Sequence, residues 1–154
     1  MKHVKKSVLL WYSPREMYTL VTDVAAYPQF LPWCEQAEIL EEDANGMLAR
    51  LTLSIAGLRH GFTTRNEHRP DQCVGVKLVD GPFSSLDGIW KFERVGRGSK
   101  EADEDTRACR IDFELRYAFA SAALEAVVSP VFDRIANTLV DSFVQRAEQV
   151  HGPR

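Results

Sequence analysis

From residue 35 to residue 119 apolar and polar side chains alternate with a period of two, and before and after that stretch the period is 3.6. "SPRE" (13–16) is a helix start. Ser13 is placed to cap, Pro14 suits the first helical position, and Glu16 completes an S-x-x-E capping box. Tyr12 and Met17 stand at the positions of a hydrophobic staple, and Met17, Leu20, Val21 and Val24 extend the helix over 14–24. "EQAEILEED" and "MLARLTLSIA" then read as a hairpin turning at Asn45-Gly46. Strands follow in "LRHGFTTRNEHR", "CVGVKLV" and "LDGIWKFERV", separated by Pro70-Asp71 and by "DGPF" (80–83). "CRIDFELRYAF" alternates most strictly, with Ile111, Phe113, Leu115, Tyr117 and Phe119 on one face. Ser129-Pro130 reads as a second helix start, with Val131, Ile135, Leu139 and Phe143 on one stripe.

This order (β, α, a run of about six strands, a long helix) predicts an α+β fold in one domain spanning 1–154. A single curved antiparallel sheet gripping the last helix is the simplest arrangement, with Gly57, Gly61, Gly75 and Gly88 at candidate bends. One segment resists the pattern. "DVAAYPQFLPWC" (23–34) links helix to strand, yet it carries Tyr27, Phe30, Leu31 and Trp33 around two prolines. Connections normally run over the surface and are polar.

Composition narrows the field. With 45% hydrophobic and 27% charged residues the chain is ordinary globular protein. No apolar run reaches the roughly 20 residues of a membrane helix, and "MKHVKKSVLLWYSP" has too short an apolar stretch for a signal peptide and reads instead as the first β-strand. A cytoplasmic protein is expected. Cys34, Cys73 and Cys109 lack metal or disulfide spacing, so reduced thiols and no metal are expected. The net charge of −3 is weighted by "KEADEDTR" (100–107), inside a charged stretch, 96–107, expected to be a mobile loop. His60 and His68 have no carboxylate or thiol at a telling spacing, and no catalytic residue is assigned; a non-enzymatic protein is expected.

"DVAAYPQFLPWC", "FTTRN" (62–66), "LVDGPFSSLDGIWKF" (78–92) and "VFDRIANTLVDSFVQRA" (131–147) together resemble the RatA/coenzyme Q-binding protein family of the START-like, or polyketide cyclase/lipid transport, superfamily. The resemblance runs from about residue 3 to residue 151, nearly the whole chain. It implies a helix-grip fold: a curved antiparallel sheet of about seven strands around a long C-terminal helix, enclosing an apolar cavity. It also implies one of two functions. The first, expected to lead, is a non-enzymatic binding protein for a lipophilic ligand, an isoprenoid quinone such as ubiquinone, supporting respiration, with peripheral contact to the inner membrane. The second is a RatA-type toxin that binds the large ribosomal subunit and blocks subunit association. No cofactor beyond such a bound lipid is implied.

Each candidate residue carries two readings. Tyr27, Phe30, Leu31 and Trp33 are either a packed plug or a lid over the cavity mouth, and the resemblance favours the lid. Phe83 is either part of a turn or reaches back over the same mouth. Phe62, Thr64, Leu86 and Trp90 share sheet faces that serve as core or as ligand wall; Leu53, Ile135, Leu139 and Phe143 join them as cavity candidates. Arg65 is either a surface cation or, through a bulge, an inward contact for a polar head. Arg59, His60, His68 and Arg69 form a modest basic group, so Arg59 and Arg69, with Lys2, Lys5 and Lys6, are the candidates for RNA contact.

Overall fold

The computed structural model describes residues 1–55, 57–95 and 108–153; the expected mobile loop at 96–107 lies outside the described residues. Seven strands form one sheet: β1 (Lys2–Leu10), β2 (Cys34–Asp43), β3 (Gly46–Ile55), β4 (Leu58–Arg69), β5 (Cys73–Asp80), β6 (Phe83–Arg94) and β7 (Cys109–Phe119). Their spatial order is β1-β7-β6-β5-β4-β3-β2, and every neighbouring pair is antiparallel. Helices α1 (Pro14–Thr22) and α2 (Ala122–His151) pack on the apolar face. This is the helix-grip arrangement.

β1 and β2 are consecutive in the chain yet occupy opposite edges of the sheet. Residues 11–33 therefore have to cross the concave side, and that crossing explains the greasy connection. α1 begins with both halves of the capping box: Glu16 N donates to Ser13 Oγ, and Ser13 N donates to Glu16 Oε1 at 2.8 Å. A short 3-10 segment, Val24–Gln29, follows; Val24 within it and Leu31 and Cys34 after it are buried. Tyr12 and Met17 are buried, and the Tyr12 hydroxyl donates to the Gly152 carbonyl at the end of α2.

Three local expectations shift. The hairpin turns on Ala44 and Asn45, and Gly46 opens β3. A Cβ on Gly46 would sit 1.9 Å from the Asn66 carbonyl oxygen, so the close approach of β4 is what requires glycine there. α2 starts two turns before Ser129-Pro130. Ser121 caps it by accepting from Leu124 N at 3.1 Å, and Pro130 lies inside the helix. The register shifts fall at residues 34–36, 39–41, 63–64 and 83–85, none of them at the glycines expected to bend the strands.

Ser129 is instead part of a polar clamp between α2 and the sheet. Lys2 Nζ donates to Asp133 Oδ2 (2.6 Å) and to Ser129 Oγ (2.8 Å), while the Tyr117 hydroxyl donates to Asp133 Oδ1 (2.5 Å). Burial alone pushes the Asp133 carboxyl up, but hydrogen bonds from Lys2, Tyr117 and Ser129, with the Lys2 charge, outweigh it and hold the carboxyl below the usual range. A depressed carboxylate contributes stability that is complete above its unfolded value and lost as pH falls through the folded one. Asp133→Asn is therefore expected to cost about 1–2 kcal/mol at pH 7. Urea unfolding should show that difference shrinking below about pH 4, where the unfolded carboxyl protonates. An undiminished difference at pH 3 would remove the charge from the explanation.

Candidate functional site

Alternation along the strands sends one set of side chains toward α2. On β3 these include Ala49 and Leu51, on β4 Phe62, Thr64 and Asn66, on β6 Leu86 and Trp90, and on β7 Phe113 and Leu115. α2 faces them with Phe132, Ile135, Ala136, Leu139 and Phe143, and the connection adds Val24, Tyr27 and Trp33. They surround a cavity of about 110 Å³ that opens to solvent at its mouth. That is smaller than the roughly 300–1,000 Å³ of drug-sized ligand sites. Gly88 also faces it, where a Cβ would come within 3.0 Å of Leu115 Cδ1.

The mouth lies among the lining residues that stay half-buried: Tyr27, Trp33, Leu51, Val76, Gly88 and Leu139. Tyr27 is fixed by its hydroxyl, which donates to the Val21 carbonyl, and by edge contacts to Phe30 and Phe143. Burial, reinforced by Cys34 and Asp23, pushes this phenol well above its ordinary value, so it stays neutral. Phe30 in turn lies under the Arg146 guanidinium at 5.0 Å, and Arg146 donates to Gln29 Oε1 at 2.8 Å. The connection is thus pinned to α2 from both sides of the Tyr27–Phe30 pair.

Tyr27, Trp33, Phe62, Thr64, Leu86, Trp90, Ile135, Leu139 and Phe143 come together around this one space. The other candidates lie elsewhere. Leu31 and Leu53 are fully buried core, and Phe30 backs Tyr27. Phe83 is 4% exposed in an aromatic cluster with Phe62, Tyr117, Phe119 and Phe132, and it does not line the cavity. The bulge at Thr63 and Thr64 leaves Arg65 on the outer face, exposed and 3.9 Å from Glu41. Arg59 and Arg69 stand at the two ends of β4, about 33 Å apart at the rise of a strand, with Arg59 paired to Glu35 at 2.7 Å. His68 packs edge-on against Tyr18, and burial pushes its imidazole below its ordinary value despite Glu42 and Asp43, so it adds no charge at neutral pH. These four residues do not form one basic patch.

The three cysteines are free, and burial pushes the Cys34 thiol up to about 11 and that of Cys109 to about 12. Among the described residues no group of three His, Cys, Asp or Glu side chains is placed to hold a metal ion. No helix among the described residues is long and apolar enough to cross a membrane. Pattern reading passed over several lining residues, among them Val24, Leu51, Phe113, Leu115 and Phe132, and one polar side chain, Asn66. It shares the inner face with Phe62 and Thr64 at strand spacing, which was the available signal.

The sequence profile of the polyketide cyclase / dehydrase and lipid transport family matches residues 10–144. The chain belongs to that family. Over 150 residues it is 39% identical to the ribosome association toxin RatA of Pseudomonas aeruginosa, covering 97% of this chain and 98% of that one. It is 27% identical over 149 residues to the mitochondrial coenzyme Q-binding protein COQ10 of Drosophila melanogaster, covering 96% of this chain and 59% of that protein. Among solved structures, an 18 kDa protein of Caulobacter crescentus aligns with TM-score 0.72 at 31% identity, over 99% of this chain and all of that one. The Zhui aromatase/cyclase of a Streptomyces aligns with TM-score 0.73 at 20% identity over 96% and 94% of the two chains, a likeness of fold alone.

These placements separate two aromatics. Phe83→Ala empties part of a sealed cluster and is expected to cost about 3–5 kcal/mol. Trp33→Ala, at the half-buried mouth, should cost less than half of that while increasing uptake of an apolar dye. Thermal melts of both variants with dye titration check this; equal destabilisation would make Trp33 a plug.

Proposed function

We propose that this protein is a ribosome-associating factor of the RatA type. The observation that carries the reading is end-to-end similarity: 39% and 38% identity to proteins named ribosome association toxin in Pseudomonas aeruginosa and Escherichia coli, against 27% to the coenzyme Q-binding relative. This reverses the order in which the sequence motifs alone ranked the two functions. A net charge of −3 requires any contact with RNA to be local. Of the cations first considered, Lys2 is held by Asp133 and Arg59 by Glu35. Lys5, Lys6 and Lys91 instead border a groove on the β1–β7–β6 side, alongside Glu114 and an Arg110–Asp112 ion pair. That groove is the better candidate contact.

The cavity favours a second reading, a lipophilic ligand held by apolar burial at roughly 25 cal/mol per Å². The two readings are compatible. An isoprenoid quinone remains within the second, as does peripheral membrane contact during its delivery.

Adding the purified protein to ribosomes should move it with the large subunit on sucrose gradients and reduce the joined 70S peak. Charge reversal at Lys5 and Lys91 is expected to abolish this at moderate salt, and reversal at Arg59 and Arg69 to weaken it less. Absence of the wild-type protein from every ribosomal fraction at low salt would sink the first reading.

A further inference from the structure

The two edges of the sheet are built differently. β2 forms one of them, and its register on β3 breaks twice, between residues 34 and 36 and between 39 and 41. Glu35, Glu38, Glu41, Glu42 and Asp43 stand along it. Bulges and charges of this kind keep an edge from pairing with another strand. β1 forms the other edge and has no bulge. It keeps one unbroken register with β7 over nine residues, from Lys2 opposite Tyr117 to Leu10 opposite Cys109. Among the described residues no other backbone bonds to it, so alternate N–H and C=O groups along its free side are unpaired.

The side chains indicate what would pair there. Residues 1–12 contain Lys2, His3, Lys5 and Lys6 and no acidic residue. Lys2 is held by Asp133 and His3 by Glu114, which leaves Lys5 and Lys6 exposed and outside any ion pair among the described residues. Farther along, Val8 and Leu10 are only half-buried and Leu9 is 67% exposed. The edge is basic in its first half and apolar in its second. A second copy of the chain fits it poorly. Antiparallel pairing of β1 with another β1 brings the two Lys5–Lys6 pairs together at its centre, and like charges facing each other across strands are destabilising. Pairing of β1 with the β2 of another copy is interrupted by the two bulges.

We propose that the free edge of β1 is the docking strand for an extended segment of a different protein, acidic where it faces Lys5 and Lys6 and apolar where it faces Val8 to Leu10. The segment extends the sheet by one strand, covers Val8 and Leu10, and sets its carboxylates against the two free lysines. In strand addition of this kind the main-chain bonds supply affinity and the side chains select the partner. The inference stands independently of the ribosomal reading, since it requires no RNA.

Dye-labelled nine-residue peptides titrated against the whole protein test this by fluorescence anisotropy. The first, written in the antiparallel sense, alternates valine with threonine in its first half and glutamate with threonine in its second. Two further versions carry N-methyl groups on one or the other set of alternate amides. One set points at β1 and the other away from it. One methylated peptide should therefore bind at least tenfold more weakly, the worth of about one net hydrogen bond, and the other should keep its affinity. Lys5→Glu combined with Lys6→Glu should lose the acidic peptide and gain a version with lysine in place of glutamate, a gain that an unfolded variant would not show. If the acidic peptide does not bind, the two methylated peptides behave alike, or the charge swap restores nothing, strand docking at β1 is wrong. A wild type that sediments as a dimer and is dissociated by the peptide would make a second copy the occupant and overturn the proposal as well.

Discussion

A sheet with one apolar face has to bury that face, and a single helix is too narrow to do it alone. Seven strands at about 4.8 Å spacing span roughly 29 Å, while a helix with its side chains is about 10–12 Å across. α2 runs along the middle of the concave side and contacts β7, β1 and β3. The remainder must be covered by something else, by curling of the sheet, or not at all. All three occur. α1 covers β5 and β6 near one end, the connection covers the β2–β3 side, and the strip left between them and α2 is the cavity. The cavity is therefore a consequence of covering arithmetic, and its polarity is set by which strand residues face the strip.

The same constraint gives the connection its composition. Because β1 and β2 occupy opposite edges, the chain between them is part of the core by topology. Leu31 and Val24 anchor it from below, and Arg146 over the Phe30 ring, with the edge contact of Phe30 to Phe143, holds it from the helix side. Its prolines suit a segment that turns sharply twice without a partner strand to take its N–H groups. At the opposite end of α2, Lys2, Tyr117, Ser129 and Asp133 provide a polar counterpart of that attachment. The helix is gripped at two points, with the cavity between them.

What could be read from the sequence divides along physical lines. Period-two alternation over 109–119 returned β7 with its inner face, and the S-x-x-E box returned α1, because in both cases a local rule decides the outcome. Ser129-Pro130 misled because a proline within a helix is tolerated where its neighbours are held by tertiary contacts, and Ser129 is held by Lys2 and Asp133. Phe83 misled for a similar reason. A turn-tip aromatic suggested a ring reaching over the cavity mouth, but the bulge at 83–85 tucks it between Phe62 and Phe132. Arg59 and Arg69 looked adjacent in composition and are a strand's length apart. The cavity itself could not be derived from periodicity, since a wall residue and a core residue obey the same alternation.

That last ambiguity bears on how the two functional readings relate. The cavity uses the inner face of the sheet and the Lys5–Lys91 groove lies on the β1–β7–β6 side, with Phe113 bordering both. A shared strand still connects them. Trp90 and Phe113 line the cavity while Lys91 and Asp112, their immediate neighbours in the chain, face outward at the groove. A ligand influences the outer face only to the extent that it binds one twist of these strands better than another, because a ligand indifferent to the two shifts nothing. Any such influence is mutual: occupancy of the groove would change affinity in the cavity by the same factor. A ligand sensor and a ribosome-binding surface can thus share this one sheet, with β6 and β7 as the only part of it that both would need to move.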